Sequence, residues 1–236
     1  CGKTTTSKQI AKSVLYMQEP AQKKQNLLMA DTNPSLLLQG KVPRLIDEWQ
    51  LAPKLWDAVR FEVDQRDDFG QFILTGSAVP PDTSEISHSG TGRISRMLMR
   101  PMSLLESGES NGSVSLAGLF NANYEVSSSV ESDIEELAFL ICRGGWPKAI
   151  GKTVKVALQQ AIDYYDAVVN SDISRIDDKE RNPERAKLLM RSYSRNIGSQ
   201  AKFEEMRQDI LGNDIDSFSI DTLYDYLKAL KKIFVI

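Results

Sequence analysis

The chain has 236 residues, 41% hydrophobic and 26% charged, a balance that fits a globular protein of one large or two small domains. No apolar run approaches the ~18 residues of a membrane helix, and a single histidine, His88, excludes a multi-histidine metal site. The net charge of −3 excludes attraction of nucleic acid by the global field, so such a partner needs a local basic patch. Two cysteines, Cys1 and Cys142, form neither a disulfide framework nor a metal-ligand spacing. A reducing, cytoplasmic setting fits, and no membrane or secretory signal is present in the sequence.

In chain order, residues 3–16 have helical spacing, with Ile10, Val14 and Leu15 on one side. Asn26 to Ala30 reads as a short strand, and a turn at Asp31, Asn33 and Pro34 leads into a short helix at 35–39. Pro43 to Glu48 is a buried-strand pattern ending in two acids. Residues 55–65 form an amphipathic helix, 71–74 a strand, 79–92 a polar loop, and 96–100 a further strand stopped by Pro101. Short apolar strands alternating with helices predict an α/β protein with a parallel sheet. After Glu106 a Ser-, Gly- and Asn-rich stretch (107–129) reads as linker. Helices follow at 131–142, 155–169, 184–195, 202–211 and 220–231, and the last four residues read as a strand. Three helices and then a strand is the succession of a winged helix.

The first chemical signal is Gly2-Lys3-Thr4, followed by Thr5 and Thr6. It is the last third of the phosphate-loop pattern G-x-x-x-x-G-K-[ST]. In a complete loop, backbone N–H groups and a helix N-terminus surround the β-phosphate. Lys3 then sets a charge on the β- and γ-oxygens, and the Thr4 hydroxyl ligates Mg²⁺. The tripeptide alone equally describes a helix start with a solvated lysine. The second signal is Leu45-Ile46-Asp47-Glu48. A parallel strand beside the phosphate loop ends on the ligand-binding edge of the sheet, where Asp47 would hold Mg²⁺ through water and Glu48 would polarise the attacking water. An ordinary acidic helix cap has the same sequence. The third signal is Phe72 to Ser77, where Thr75 or Ser77 is placed to orient water or sense the γ-phosphate; a strand followed by a turn is the alternative. Arg93 and Arg96 precede the expected strand at 96–100. Either can serve a neighbouring subunit's γ-phosphate or form an ordinary surface ion pair. Arg143-Gly144-Gly145-Trp146-Pro147 ends a helix, and its paired glycines permit a left-handed terminus or a close backbone approach.

Together the phosphate-loop remnant, LIDEWQ, FILTGSA, GRISRMLMRPMSLLESGE, LICRGGWP, YYDAVVNSDISR and RNPERAKLLMRSY resemble the bacterial and archaeal AAA-type ATPases that carry a C-terminal domain of unknown function with a restriction-endonuclease-like core. The resemblance implies ATP and Mg²⁺ as cofactors and a P-loop NTPase sheet lacking its first strand. It further implies an ATPase core at 1–107, a linker and helical lid at 108–180, and a winged helix at 181–236. Gly2, Lys3, Thr4 and Thr5 become the phosphate-loop residues and Asp47 and Glu48 the Mg²⁺ and water acids. Thr75 or Ser77 takes the sensor position and Arg93 or Arg96 the arginine finger. Gly144, Gly145 and Pro147 resemble a G-G-x-P lid signature. On this reading the chain is a fragment lacking the loop's first glycine and the C-terminal domain, and alone it is expected to bind ATP poorly.

Two other functions compete with the ATPase: a nucleic-acid-binding regulator with a nucleotide switch, and a non-hydrolysing scaffold. Arg185, Lys187, Arg191, Arg195, Lys202 and Arg207 make a local basic excess. The expected recognition helix instead opens with Asp221 and Asp225, which repel phosphate. This favours a protein partner over DNA for the winged helix. A trans-acting arginine further implies a homo-oligomer.

Overall fold

A computed structural model describes residues 2–76, 90–121, 124–129, 131–177, 179–212 and 217–236. The chain separates into two compact units. One contains 3–96 and 167–236, the other residues 1–2 and 97–166.

In the first unit, α1 (Lys3–Lys8) leads to β1 (Ser13–Tyr16). The expected single helix over 3–16 therefore stops early. Val14 and Tyr16 favour an extended chain, and the helix ends at Lys8. Asn26 to Ala30, expected as a strand, lies inside α2 (Lys23–Thr32). This run holds no β-branched residue, and its buried positions, Asn26 and Ala30, are one helical turn apart. The Asn26 amide donates to the Tyr16 carbonyl at 3.1 Å, so α2 closes the end of β1. A 3-10 turn (Pro34–Leu38) precedes β2 (Arg44–Asp47). Then come α3 (Lys54–Arg66) and β3 (Phe72–Thr75).

The three strands form one parallel sheet in the order β1-β2-β3. Leu45 and Ile46, adjacent on β2, are both fully buried, so both faces of the central strand are covered. Leu15, Met17, Ala30, Leu37, Leu38, Ile46, Leu55 and Val59 pack into one core between sheet and helices. The register pairs Tyr16 with Asp47 and Asp47 with Thr75. All three residues thus end their strands side by side on the carboxyl edge of the sheet. Arg96–Arg100 is not a strand, and Met97 and Leu98 are exposed.

The C-terminal part of this unit begins with a π-turn (Val168–Asp172), which continues α7, described below, and runs into α8 (Ile173–Arg175). It goes on through α9 (Pro183–Arg195), α10 (Phe203–Leu211) and α11 (Ile220–Lys232). Asn182 caps α9, accepting from Glu184 N at 2.8 Å and Arg185 N at 3.3 Å, and Pro183 occupies the first turn, where no N–H is needed. Leu189, Ile210, Leu223 and Leu230 are buried where these helices pack. The last four residues are not a strand. Phe234 is left-handed (φ 58°), and Val235 N donates back to the Leu230 carbonyl at 3.0 Å. This is a helix C-terminal cap of the Schellman type, so the described residues hold three helices without a wing.

In the second unit, α4 (Leu104–Ser107) and α5 (Leu116–Leu119) are single turns. They precede α6 (Ile134–Arg143) and α7 (Val154–Ala167). Arg143, only 4% exposed, pairs with Glu109 and donates to Ser107 Oγ at 3.4 Å. The Arg143 hydrogen bond holds the Glu109 carboxyl below the usual range against the opposing effect of burial. It ties the end of α6 to the loop after α4.

Candidate functional site at the carboxyl edge of the sheet

The edge where β2 and β3 end meets the start of α1. Asp47 is 4% exposed. Its Oδ1 accepts from the Thr4 hydroxyl at 2.7 Å and from the Thr75 hydroxyl at 2.6 Å. Two hydroxyls, 43 and 28 positions from Asp47 in sequence, thus converge on one of its carboxylate oxygens. Thr75 is itself buried. Lys3 occupies the first position of α1 and Thr5 is exposed on it.

Glu48 follows directly and is left-handed (φ 58°, ψ 44°). A non-glycine residue in this region costs about 1–3 kcal/mol and persists where its surroundings enforce it. Here the turn Trp49–Leu51 does so: Leu51 N donates to the Glu48 carbonyl at 3.1 Å, and the Trp49 ring lies 5.1 Å from that of Trp56 on α3. The Gln50 amide returns to donate to Glu48 Oε2 at 2.5 Å. Gly76, the residue after β3, approaches this turn closely. A Cβ there would stand 2.5 Å from Gln50 Oε1 and 3.4 Å from Trp49 Nε1. Neither Gln50 nor Gly76 is marked by a catalytic motif in the sequence. The glycine immediately after a strand that reaches the acidic edge was the available signal.

The other candidates lie elsewhere. Arg93 Nε donates to Asp64 Oδ1 on α3 at 2.8 Å, and this hydrogen bond holds the Asp64 carboxyl below its ordinary range. The Arg96 guanidinium sits 5.0 Å over the Trp56 ring. Both arginines are therefore folded onto α3 of their own chain. Ser77 and His88 fall outside the described residues. In the second unit, Gly144 (φ 66°) caps α6, its N–H bonding the Leu140 carbonyl. A Cβ on Gly145 would stand 2.3 Å from the Met102 carbonyl oxygen, so only glycine allows the bond from Met102 N to Gly145 O at 2.9 Å. Gly2 (φ 82°) lies against Pro147, 3.6 Å from its Cγ to a built Cβ.

Comparison with known families places the two ends of the chain. Residues 1–107 match the family model of an AAA domain, and residues 134–236 match that of a domain of unknown function. No curated protein and no solved structure matches the chain. The N-terminal region is thus AAA-like, as its parallel sheet is, and nucleotide binding is the theme that this likeness brings. Among the described residues no helix is long and apolar enough to cross a membrane.

Proposed function

We propose that the protein is a Mg²⁺-dependent ATPase whose nucleotide phosphates sit at the carboxyl edge of the sheet. The observation that carries this reading is the meeting of the Thr4 and Thr75 hydroxyls on Asp47 Oδ1, in a region that matches an AAA domain. The Thr4 hydroxyl and the Asp47 carboxylate are hard oxygen donors, which suit Mg²⁺. No group of three His, Cys, Asp or Glu side chains gathers among the described residues. That fits an ion that keeps its waters and borrows phosphate oxygens rather than one in a protein cage. Such an ion, when bound, neutralises charge on the transferring phosphoryl group.

The chain's own residues do the rest. Gly2, Lys3, Thr4 and Thr5 receive the phosphates at the start of α1, and Lys3 adds its positive charge there. Asp47 orients Thr4 and accepts from it. Glu48, next to Asp47 at the edge, takes the proton of the attacking water. Thr75, or Ser77 after it, holds the γ-phosphate side of the site. Arg93 or Arg96 can serve a neighbouring subunit in a homo-oligomer once it leaves α3. We assign residues 1–107 to the ATPase core, 108–180 to linker and lid, including the backbone turn at Gly144 and Gly145, and 181–236 to a three-helix, protein-contacting module in a cytoplasmic protein.

The test is ATP turnover by the full-length protein beside its Glu48→Gln variant. Turnover should fall at least ~100-fold, by the scale of removing a general base, while ATP binding persists. A variant with parental turnover removes Glu48 from the role of base.

A further inference from the structure

Glu48 can act as a base only if its carboxylate is aimed at water, and a glutamate side chain has three torsions to restrain. Residues two apart on an α-helix do not face each other. The left-handed backbone at Glu48 and the 3-10 turn after it break that regularity and fold Gln50 back over the acid. The Gln50 Nε2 group donates to Glu48 Oε2. On its other side the same amide touches Gly76, where a Cβ would come within 2.5 Å of Oε1 and 3.2 Å of Cδ. The turn is fixed from behind by the Trp49–Trp56 ring contact.

We infer that Gln50 is the positioning residue of Glu48, and that the bare backbone of Gly76 is what leaves room for it. The inference rests on Glu48 being the base of the proposed ATPase. The Gln50 amide thereby restrains the orientation of the carboxylate that is to receive the proton of the attacking water. Gly76 follows Thr75, which bonds Asp47. The end of β3 and the residue after it therefore reach both acids, Asp47 through Thr75 and Glu48 through Gly76 and Gln50.

The experiment is a double-mutant cycle on ATP turnover in the full-length protein. Gln50→Leu removes the amide at similar size. Gly76→Ala leaves Gln50 in the chain and displaces only the flexible end of its side chain. Each should lower kcat about tenfold, the scale of one lost orienting hydrogen bond, with KM for ATP unchanged within twofold. In a Glu48→Gln background neither should lower the residual rate more than about twofold, because the residue they position is already gone. Equal losses in both backgrounds would show a structural role and overturn the inference, as would unchanged or raised kcat in the native background. If Gln50→Leu does not fold, Gly76→Ala decides alone. Absence of turnover in the unsubstituted protein overturns the ATPase reading and this inference with it, whereas normal turnover with insensitive variants overturns this inference only.

Discussion

Asp47 and Asp225 both end up near the interior, one at a sheet edge and one on a helix, yet they have opposite partners. Asp47 accepts from two neutral hydroxyls. None of the ion pairs among the described residues includes it. Asp225 accepts from Arg181 Nε at 3.0 Å and pairs with Lys179 at 3.3 Å. The Arg181 side chain is 3% exposed, and it is held further by Asp177 through both oxygens and by the Ile173 carbonyl at 2.7 Å. A carboxylate neutralised by a guanidinium is finished chemistry. A buried carboxylate whose partners are hydroxyls still carries an uncompensated charge, and that is the condition for taking a cation. The contrast separates the proposed site from a brace.

The sharpest way to break this comparison is to neutralise each acid in turn. Asp47→Asn should lower Mg²⁺-dependent ATP turnover at least ~100-fold, since the group lost acts on charge in the transition state. Asp225→Asn should leave turnover per folded molecule unchanged, because Asp177 still holds Arg181. Comparable losses from both would dissolve the distinction.

Arg181→Met tests the brace. Breaking a fully buried ion pair costs about 3–5 kcal/mol. The partners here are partly open, with the Asp225 side chain 36% exposed, so about 2–3 kcal/mol is expected at pH 7 by thermal or urea unfolding. The Arg181 hydrogen bond lowers the Asp177 carboxyl below its usual value, and for Asp225 burial pushes up while Arg181 and Lys179 outweigh it. Carboxyls lowered in the folded state stabilise it fully above their unfolded value of about 3.9 and lose that contribution as pH falls below it. The gap between native and Arg181→Met should therefore hold from pH 7 to about 5 and narrow below about 4. A gap that widens in acid would contradict the brace.

Thr75→Val and Thr4→Val sharpen the other side. Thr75 is buried, so losing its bond to Asp47 should cost about 1–2 kcal/mol of stability. Thr4 is only half-buried, so its variant should lose less stability and more of the Mg²⁺ dependence of nucleotide binding, read as the ratio of ATP affinities with and without the ion.

The strand at β2 was legible in the sequence as a short apolar run finishing in two acids, and the helices from α9 onward were legible from their period. Other short apolar runs were not. Asn26 to Ala30 and residues 233–236 are too brief for periodicity to separate strand from helix, and tertiary packing made one a helix and the other a helix cap. The bond from Gln50 to Glu48 was hidden because it depends on a left-handed residue that no local signal announces. The Glu109–Arg143 pair was hidden too, since it joins residues 34 positions apart.

The smallest effect is expected where the sequence promised a basic surface. Arg185 donates to the Ser217 carbonyl at 3.2 Å, and Arg195 to Asp209 at 2.7 Å. Arg207 bonds Glu204 and the Phe218 carbonyl, both at 2.7 Å, and Lys187 pairs with Glu184 at 2.9 Å. These cations are committed inside the three-helix unit. Of the two acids expected to repel phosphate, Asp225 is committed as well, since it faces Arg181, and Asp221 stays exposed at the start of α11. Cations already paired within the unit are less available to displace counterions from a phosphate backbone. Duplex DNA titrated at several salt concentrations should therefore show a log–log slope shallower than about −2, the value for two released counterions, and Arg191→Ala should change it little. A slope steeper than about −4 would mean that these arginines leave their internal partners for DNA, and the unit would then be a nucleic-acid reader.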